Sequence, residues 1–337
     1  MTRPRIIHLF DDATSGGIMR VLDYVQQNAE MSLQADHELR RVTRGSLSLG
    51  RYDADMVVSH LTVNWRSLPG LMALRAANPQ LPLVHVEHSY TEQFVALHVP
   101  RRGRFETLLR CANSLFDRVV AVSAAQAEWM RARSLAPRGK LKVIRSAVDY
   151  APFLALPEPT GAPRVVGAIG RLDPIKGFDV LIEAFRSDPD LDLELRIFGD
   201  GPEAPRLKAL AAGDPRIRFF GHYDDPVAAM ASVDIVAMPS MREAYGLVAA
   251  EARAAGRLLL VSPVDGLLDH VADGARAVHA HTPEAWAAAL RSPDLELARM
   301  RMSKPDAAAF STSWRNLIAE LLPANRNAMP SEDIASL

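Results

Sequence analysis

The chain has 337 residues, 48% hydrophobic and 23% charged, with a formal net charge of −1. That length allows two domains of ordinary size, and the balanced charge excludes a global field that would draw the protein to nucleic acid. The one cysteine, Cys111, excludes an internal disulfide framework and a cysteine-only metal site; it fits a reducing cytoplasm and is expected to be a small buried hydrophobe.

The opening MTRPRIIHLF has too short an apolar run for a signal peptide. No window reaches the roughly 20 apolar residues of a membrane span, so any membrane contact is expected to be peripheral. Residues 6–10 read as a strand, followed by the turn Asp-Asp-Ala-Thr-Ser-Gly-Gly and a helix over 18–28. Strands are expected at 56–59, 83–87 and 118–123, with helices over 65–77 and 124–133. Short strands alternating with helices argue for parallel βαβ units.

Between Tyr150 and Arg164 the pattern stops, and Pro152, Pro157, Pro159 and Pro163 mark a linker. A second and more regular α/β series follows. It has strands at 165–169, 194–198, 217–220, 235–238 and 258–262, and helices at 178–186, 204–211 and 247–255. Residues 310–322 read as a last amphipathic helix with Trp314, Leu317, Leu321 and Leu322 on one side. The expected organisation is a first domain over 1–150, a linker over 151–163 and a second domain over 164–309. A helix over 310–323 returns to the first domain, and a disordered tail occupies 324–337. The fold class is α/β, with two Rossmann-like parallel-sheet domains facing across a cleft.

The segment from Val236 to Gly256 concentrates the chemistry. A buried strand ends at Pro239-Ser240, a polar turn carries Glu243 and Gly246, and strong helix formers follow from Leu247. The helix therefore opens at the carboxyl edge of a parallel sheet, where ligands sit, and its N-terminus suits phosphate. Glu243 and Glu251 repel phosphate, so they suit the hydroxyl groups of a ribose and a sugar. Arg171 and Lys176 share another strand-end loop, where two cations would neutralise a departing pyrophosphate.

Gly16-Gly17, before the first helix, lets backbone N–H groups approach a phosphate or sugar; no Gly-Lys-[Ser/Thr] follows, so it is not a P-loop. His88 closes its strand where a ligand would meet it, and His85 is expected to be buried. His8, His60, His85 and His88 lie near strand ends but lack metal-ligand spacing, so no metal is expected. Asp53-Ala-Asp55 precedes its strand and is read as a loop acid pair. The segment from Arg101 to Arg145 carries eleven cations against three acids. It reads as a solvated face or as a contact with an anionic membrane surface.

These motifs, in this order, resemble the retaining GT-B glycosyltransferases of family 4. The resemblance rests on Gly-Arg-Leu-x-Pro-x-Lys-Gly at 170–177, Phe-Gly-Asp-Gly-Pro-Glu at 198–203, Phe-Phe-Gly-His at 219–222 and Pro-Ser-x-x-Glu-x-x-Gly-Leu-x-x-x-Glu-Ala at 239–252. It implies that Arg171 and Lys176 hold a donor diphosphate and that Glu251 binds the ribose. Glu243 contacts the transferred sugar, while the amides around Gly246 and Leu247, beside Tyr245, lie near the phosphates. Gly16 and Gly17 approach from the first domain, and His88 faces the reacting sugar.

The resemblance also implies metal-independent transfer with retention, with a nucleotide-diphosphate sugar as co-substrate, UDP being the expected nucleotide. The acceptor is unidentified, and the location is the cytoplasm, with possible peripheral contact at the inner face of the membrane. Three departures stand out: Ser146-Ala147-Val148-Asp149 for Asn-Gly-Val-Asp, Asp265-Gly266-Leu267-Leu268-Asp269 for Gly-Gly-x-x-Glu, and Arg257 for a proline. Asp265 is expected to bear on sugar or base preference, or on activity. Two alternatives remain open, a non-catalytic nucleotide-sugar-binding module and a sugar-nucleotide epimerase.

Overall fold

The computed structural model describes residues 3–12, 16–292 and 304–322. The first half runs β1 (Arg5–Phe10), α1 (Gly17–Gln27), α2 (Ala29–Gln34), β2 (Asp36–Arg41), β3 (Met56–Ser59), α3 (Leu68–Ala77) and β4 (Leu83–Glu87). It continues with α4 (Glu92–His98), α5 (Arg102–Ser114), β5 (Arg118–Ala121), α6 (Ala124–Ala132) and β6 (Leu141–Val143). One turn of helix, α7 (Ala151–Leu154), leads to β7 (Val165–Ile169), α8 (Phe178–Ser187), β8 (Glu194–Phe198), α9 (Ala204–Ala211), β9 (Ile217–Gly221) and α10 (Pro226–Ala231). Then come β10 (Ile235–Met238), α11 (Leu247–Ala254), β11 (Leu258–Val261), α12 (Leu267–Ala272), β12 (Arg276–Ala277), α13 (Pro283–Arg291) and α14 (Lys304–Leu321).

Each half is built on one six-stranded sheet, ordered β2-β1-β3-β4-β5-β6 and β12-β11-β10-β7-β8-β9. Every ladder is parallel, as expected. Parallel strands covered by helices on both faces read as continuous apolar runs. The runs MVVS, IVAM and LLLV of β3, β10 and β11 are buried at every position. In each sheet the strand order reverses beside the first strand of the half: β1 lies between β2 and β3, and β7 between β10 and β8. Such a reversal opens a crevice at the carboxyl ends of the strands. One buried apolar cluster joins the halves, taking Ile6, Val21 and Val84 from one and Met238, Ala250 and Leu259 from the other.

Although it follows the second sheet in sequence, α14 packs on the first. Phe310 lies 5.7 Å from Tyr24 and Trp314 6.2 Å from His8, ring to ring. Glu320 pairs with Arg118 at 2.5 Å and Lys142 at 2.8 Å. The tail at 324–337 lies outside the described residues.

Some elements are not announced by any sequence pattern. β2, DHELRR, is an edge strand with charged side chains and no fully buried position, so it carries no apolar run. α7 forms inside the segment expected to be structureless, with a proline in its first turn where no N–H is needed. Cys111 corrects an expectation: it is exposed rather than buried. On α5, Leu108, Leu109 and Ala112 face inward, and at 100° per residue position 111 falls on the far side of the helix.

Candidate active site

The loop after β7 and the turn after β10 are tied together. Asp173 accepts from the Ile175 N–H at 3.2 Å, and the Met241 N–H donates to the Ile175 carbonyl at 2.8 Å. Lys176 Nζ thereby reaches Glu243 Oε2 at 2.5 Å. Arg171 is exposed on the same loop.

α11 starts after Gly246, whose φ is 95°. A Cβ there would meet Leu267 Cδ2 at 2.8 Å, so both the backbone and the space require glycine. Among the described residues no side chain caps α11, which leaves first-turn N–H groups for an anion. Across the interface, α1 follows Gly16 and also lacks a side-chain cap among the described residues. A Cβ on Gly17 would lie 3.4 Å from Leu247 Cδ1. Two uncapped helix N-termini, one from each half, therefore come together.

One turn along α11, Glu251 is 1% exposed and pairs with Arg20 of α1. Burial pushes its carboxyl up, against the pull of Arg20. Tyr245 is buried with its ring 4.8 Å from His270, and burial pushes its hydroxyl up to about 12. It supports the turn from inside.

Two other helix N-termini at this interface are occupied. Asp265 accepts from the Thr91 hydroxyl at 2.6 Å and the Gln93 N–H at 3.1 Å, at the start of α4. Asp269 accepts from the Ala124 and Ala125 N–H groups at 2.8 and 3.0 Å, at the start of α6. Arg145 Nε donates to Asp269 at 2.9 Å, and its Nη1 to Asp273 at 3.0 Å. A carboxylate at a helix N-terminus is favoured by the dipole and by the open N–H groups. The aspartates of the departing Asp-Gly-Leu-Leu-Asp segment thus join the halves, and Asp265 faces Thr91 and Gln93.

At the carboxyl edge of the first sheet, His88 lines a small pocket of about 70 Å³ with Asp11, Asp12, Thr62 and Tyr90. Ile18, next to Gly17, lines it too. Asp11 accepts from the Thr62 hydroxyl at 3.2 Å and from Arg44 Nε at 3.3 Å. His88 Nε2 lies 2.8 Å from His60 Nδ1, and burial holds His88 down at about 4. The ring is therefore neutral at pH 7. His85 is buried with its ring 5.1 Å from Phe116. Asp55 accepts from the Arg5 N–H at 2.7 Å, at the opposite end of the sheet. Among the described residues no group of three or more His, Cys, Asp or Glu is placed to hold a metal ion.

The structure thus gathers Gly16, Gly17, Lys176, Glu243, Gly246, Leu247 and Glu251 at one interface. Sequence reasoning misses Arg20. Its only signal is a position one turn after Gly17, and its partner is 231 residues away.

Residues 163–292 match the family described as Glycosyl transferases group 1, and residues 20–151 match Glycosyltransferase Family 4. The D-inositol 3-phosphate glycosyltransferase of Corynebacterium glutamicum (strain R) is 39% identical over 194 residues, 51% of this chain and 45% of that protein. That of Geodermatophilus obscurus is 31% identical over 279 residues, 72% of this chain and 61% of that protein. The chain spans about half the length of the curated relatives it matches.

Among solved structures, Anabaena Alr3699/HepE in complex with UDP and glucose superposes with a TM-score of 0.70 at 20% identity, covering 96% of this chain and 100% of that one. Sucrose-phosphate synthase from Thermosynechococcus elongatus gives 0.68 at 18% identity, covering 94% of each chain. At these identities the structures carry the fold. Its two halves matched in order by these families, and its two facing parallel sheets shared with these structures, the chain belongs to the family 4 glycosyltransferases of GT-B fold.

Proposed function

We propose that the protein transfers a sugar from a nucleoside diphosphate to an acceptor hydroxyl, with retention of configuration and without a metal ion. The meeting of two uncapped helix N-termini beside Lys176 carries this reading. A diphosphate fits between them, and Arg171 and Lys176 offset its charge as it leaves. Glu251 exchanges Arg20 for the ribose hydroxyls, and Glu243 exchanges Lys176 for those of the sugar. In the reaction the bond from the anomeric carbon to the diphosphate oxygen breaks. A bond from that carbon to the acceptor oxygen forms on the same face, and the hydroxyl proton passes to the departing oxygen.

In this reading residues 164–309 hold the donor and 1–150 the acceptor. The pocket of Asp11, Asp12, Thr62 and His88 suits a polyhydroxylated acceptor, because carboxylates and a neutral imidazole accept from hydroxyls. The UDP and glucose bound by the Anabaena protein favour UDP as the nucleotide.

Melting in the presence of UDP-, GDP- and ADP-sugars identifies the donor, since a ligand that binds only the folded state raises the midpoint. With that donor, Lys176→Ala and Glu251→Ala are each expected to lower kcat/KM by about 100-fold or more. Full activity in either variant contradicts the assignment, and a product of inverted configuration contradicts retention.

Peripheral membrane contact is a second reading of the basic segment, narrower than its composition suggests. Arg118 and Lys142 are engaged by Glu320, and Arg145 by Asp269 and Asp273. Arg110, Arg131 and Arg138 line a single cavity of about 550 Å³, with Glu106 paired to Arg110 at 3.0 Å, and they are the residues that support this reading.

A further inference from the structure

Four imidazoles stand in line through the first half. His88 Nε2 lies 2.8 Å from His60 Nδ1, His60 Nε2 lies 3.0 Å from His8 Nδ1, and His8 Nε2 lies 2.9 Å from His37 Nδ1. His37 is on β2, His8 on β1, and His60 and His88 directly follow β3 and β4. These strands are consecutive neighbours in the order β2-β1-β3-β4, so the spacing of the sheet sets the rings side by side. His8 is fully buried, with Trp314 of α14 edge-on to it. Burial lowers all four rings, His37 and His88 to about 4, so the chain is neutral at pH 7.

A neutral imidazole has one N–H and one lone pair. Every link here joins an Nε2 to an Nδ1. A ring that donates from Nε2 forces its neighbour to accept at Nδ1, and that neighbour then keeps its own proton on Nε2. Only two arrangements satisfy all three links: every ring protonated at Nε2, or every ring at Nδ1.

The outer end selects between them. His37 Nδ1 is taken up by His8, and its Nε2 is buried with no hydrogen-bond partner at close geometry among the described residues. The Met31 carbonyl is the backbone group that acts on this ring, and with Nδ1 given to His8 the nitrogen left to face it is Nε2. A carbonyl only accepts, so it selects Nε2–H on His37, and through the chain on His8, His60 and His88. His88 is left with a bare Nδ1, and its ring lines the pocket at the carboxyl edge of the first sheet.

We propose that His37, His8 and His60 set the tautomer of His88, holding it as a neutral Nε2–H ring that offers its Nδ1 lone pair to a hydroxyl of the bound substrate. The inference rests on the reading of this pocket as the acceptor side of a sugar-transfer site. His37, His8 and His60 are positioning residues, because they act on substrate only through His88. A hydroxyl has one proton to donate, and giving it to His88 orients its oxygen.

Long-range proton–nitrogen spectra of the full chain, labelled with nitrogen-15 histidine and recorded without donor or acceptor, read the tautomers directly. At pH 7 His88 is expected to carry its proton on Nε2 in about tenfold or greater excess. His37→Phe removes the acceptor for His8 Nε2–H. The reversed arrangement is then the one without an orphaned donor, so His88 is expected to move toward Nδ1–H. His37→Gln, whose carboxamide accepts from His8 and donates outward to Met31, is expected to restore the Nε2–H form.

Melting curves establish that each variant is folded. Nδ1–H on His88 in the unmodified protein overturns the proposal, as does a His88 that ignores His37→Phe in the folded variant. If His37→Phe does not fold, the unmodified spectrum and His37→Gln decide. Failure of transfer with every donor leaves these spectra unchanged, so the two readings fail separately.

Discussion

Two acids of the donor region are held by cations, Glu243 by Lys176 and Glu251 by Arg20. Glu251 is nearly inaccessible, and its carboxyl lies above the ordinary value of 4.5. The folded state therefore binds this proton more readily than the unfolded chain does. That contribution to stability is fully present below pH 4.5 and is lost as the pH rises through the raised folded value. At neutral pH the ionised group detracts from stability, as residues kept for binding often do. Glu251→Gln is expected to melt above the parent at pH 7, by a gap that closes as the pH falls toward 4.5, and to bind nucleotide more weakly. A Gln variant that melts lower than the parent at pH 7 contradicts this account.

At the scale of elements, the interface sorts helix N-termini into two kinds. Those of α4 and α6 take Asp265 and Asp269 from the other half, while those of α1 and α11 have no side-chain cap. Asp269→Ala removes the acceptor of two backbone N–H groups and the Arg145 link together. Hydrogen bonds to charged groups contribute about 1.5–3 kcal/mol each and do not add fully. Closure is therefore expected to weaken by about 2–4 kcal/mol. Small-angle scattering should show a larger radius of gyration and trypsin a faster cleavage near residues 151–163; unchanged values of both contradict it.

The same contrast explains what the sequence shows. Glu243, Gly246 and Glu251 fall within nine residues of one strand, turn and helix, so local chemistry reveals them. Arg20 depends on how α1 meets α11 across the halves, and the four-histidine line on which strands become neighbours; no local pattern states either. β2 stays hidden because an edge strand need not be apolar, and Cys111 is misplaced because residue type outweighs helix phase in the reading.

Across the whole molecule, the balance of charge hides an uneven surface. Arg110, Arg131 and Arg138 share one cavity, with Glu106 paired to Arg110 at 3.0 Å, and Arg118, Lys142 and Arg145, nearer the interface and α14, are also engaged by acids. If this face meets a membrane, the protein is expected to co-sediment with vesicles rich in anionic lipid at low salt, and to release as salt screens the attraction. Replacing the three arginines by glutamine should abolish the effect, and absence of binding at low salt ends the reading. Among the described residues no helix is long and apolar enough to cross a membrane. The return of α14 to the first sheet has a mechanical consequence. The polypeptide passes between the halves twice, once outward and once back. A single tether permits twist, swing and separation, whereas two connections restrain these motions together. Opening between the halves is therefore expected to be restrained at two points, so that they reclose in the same registration.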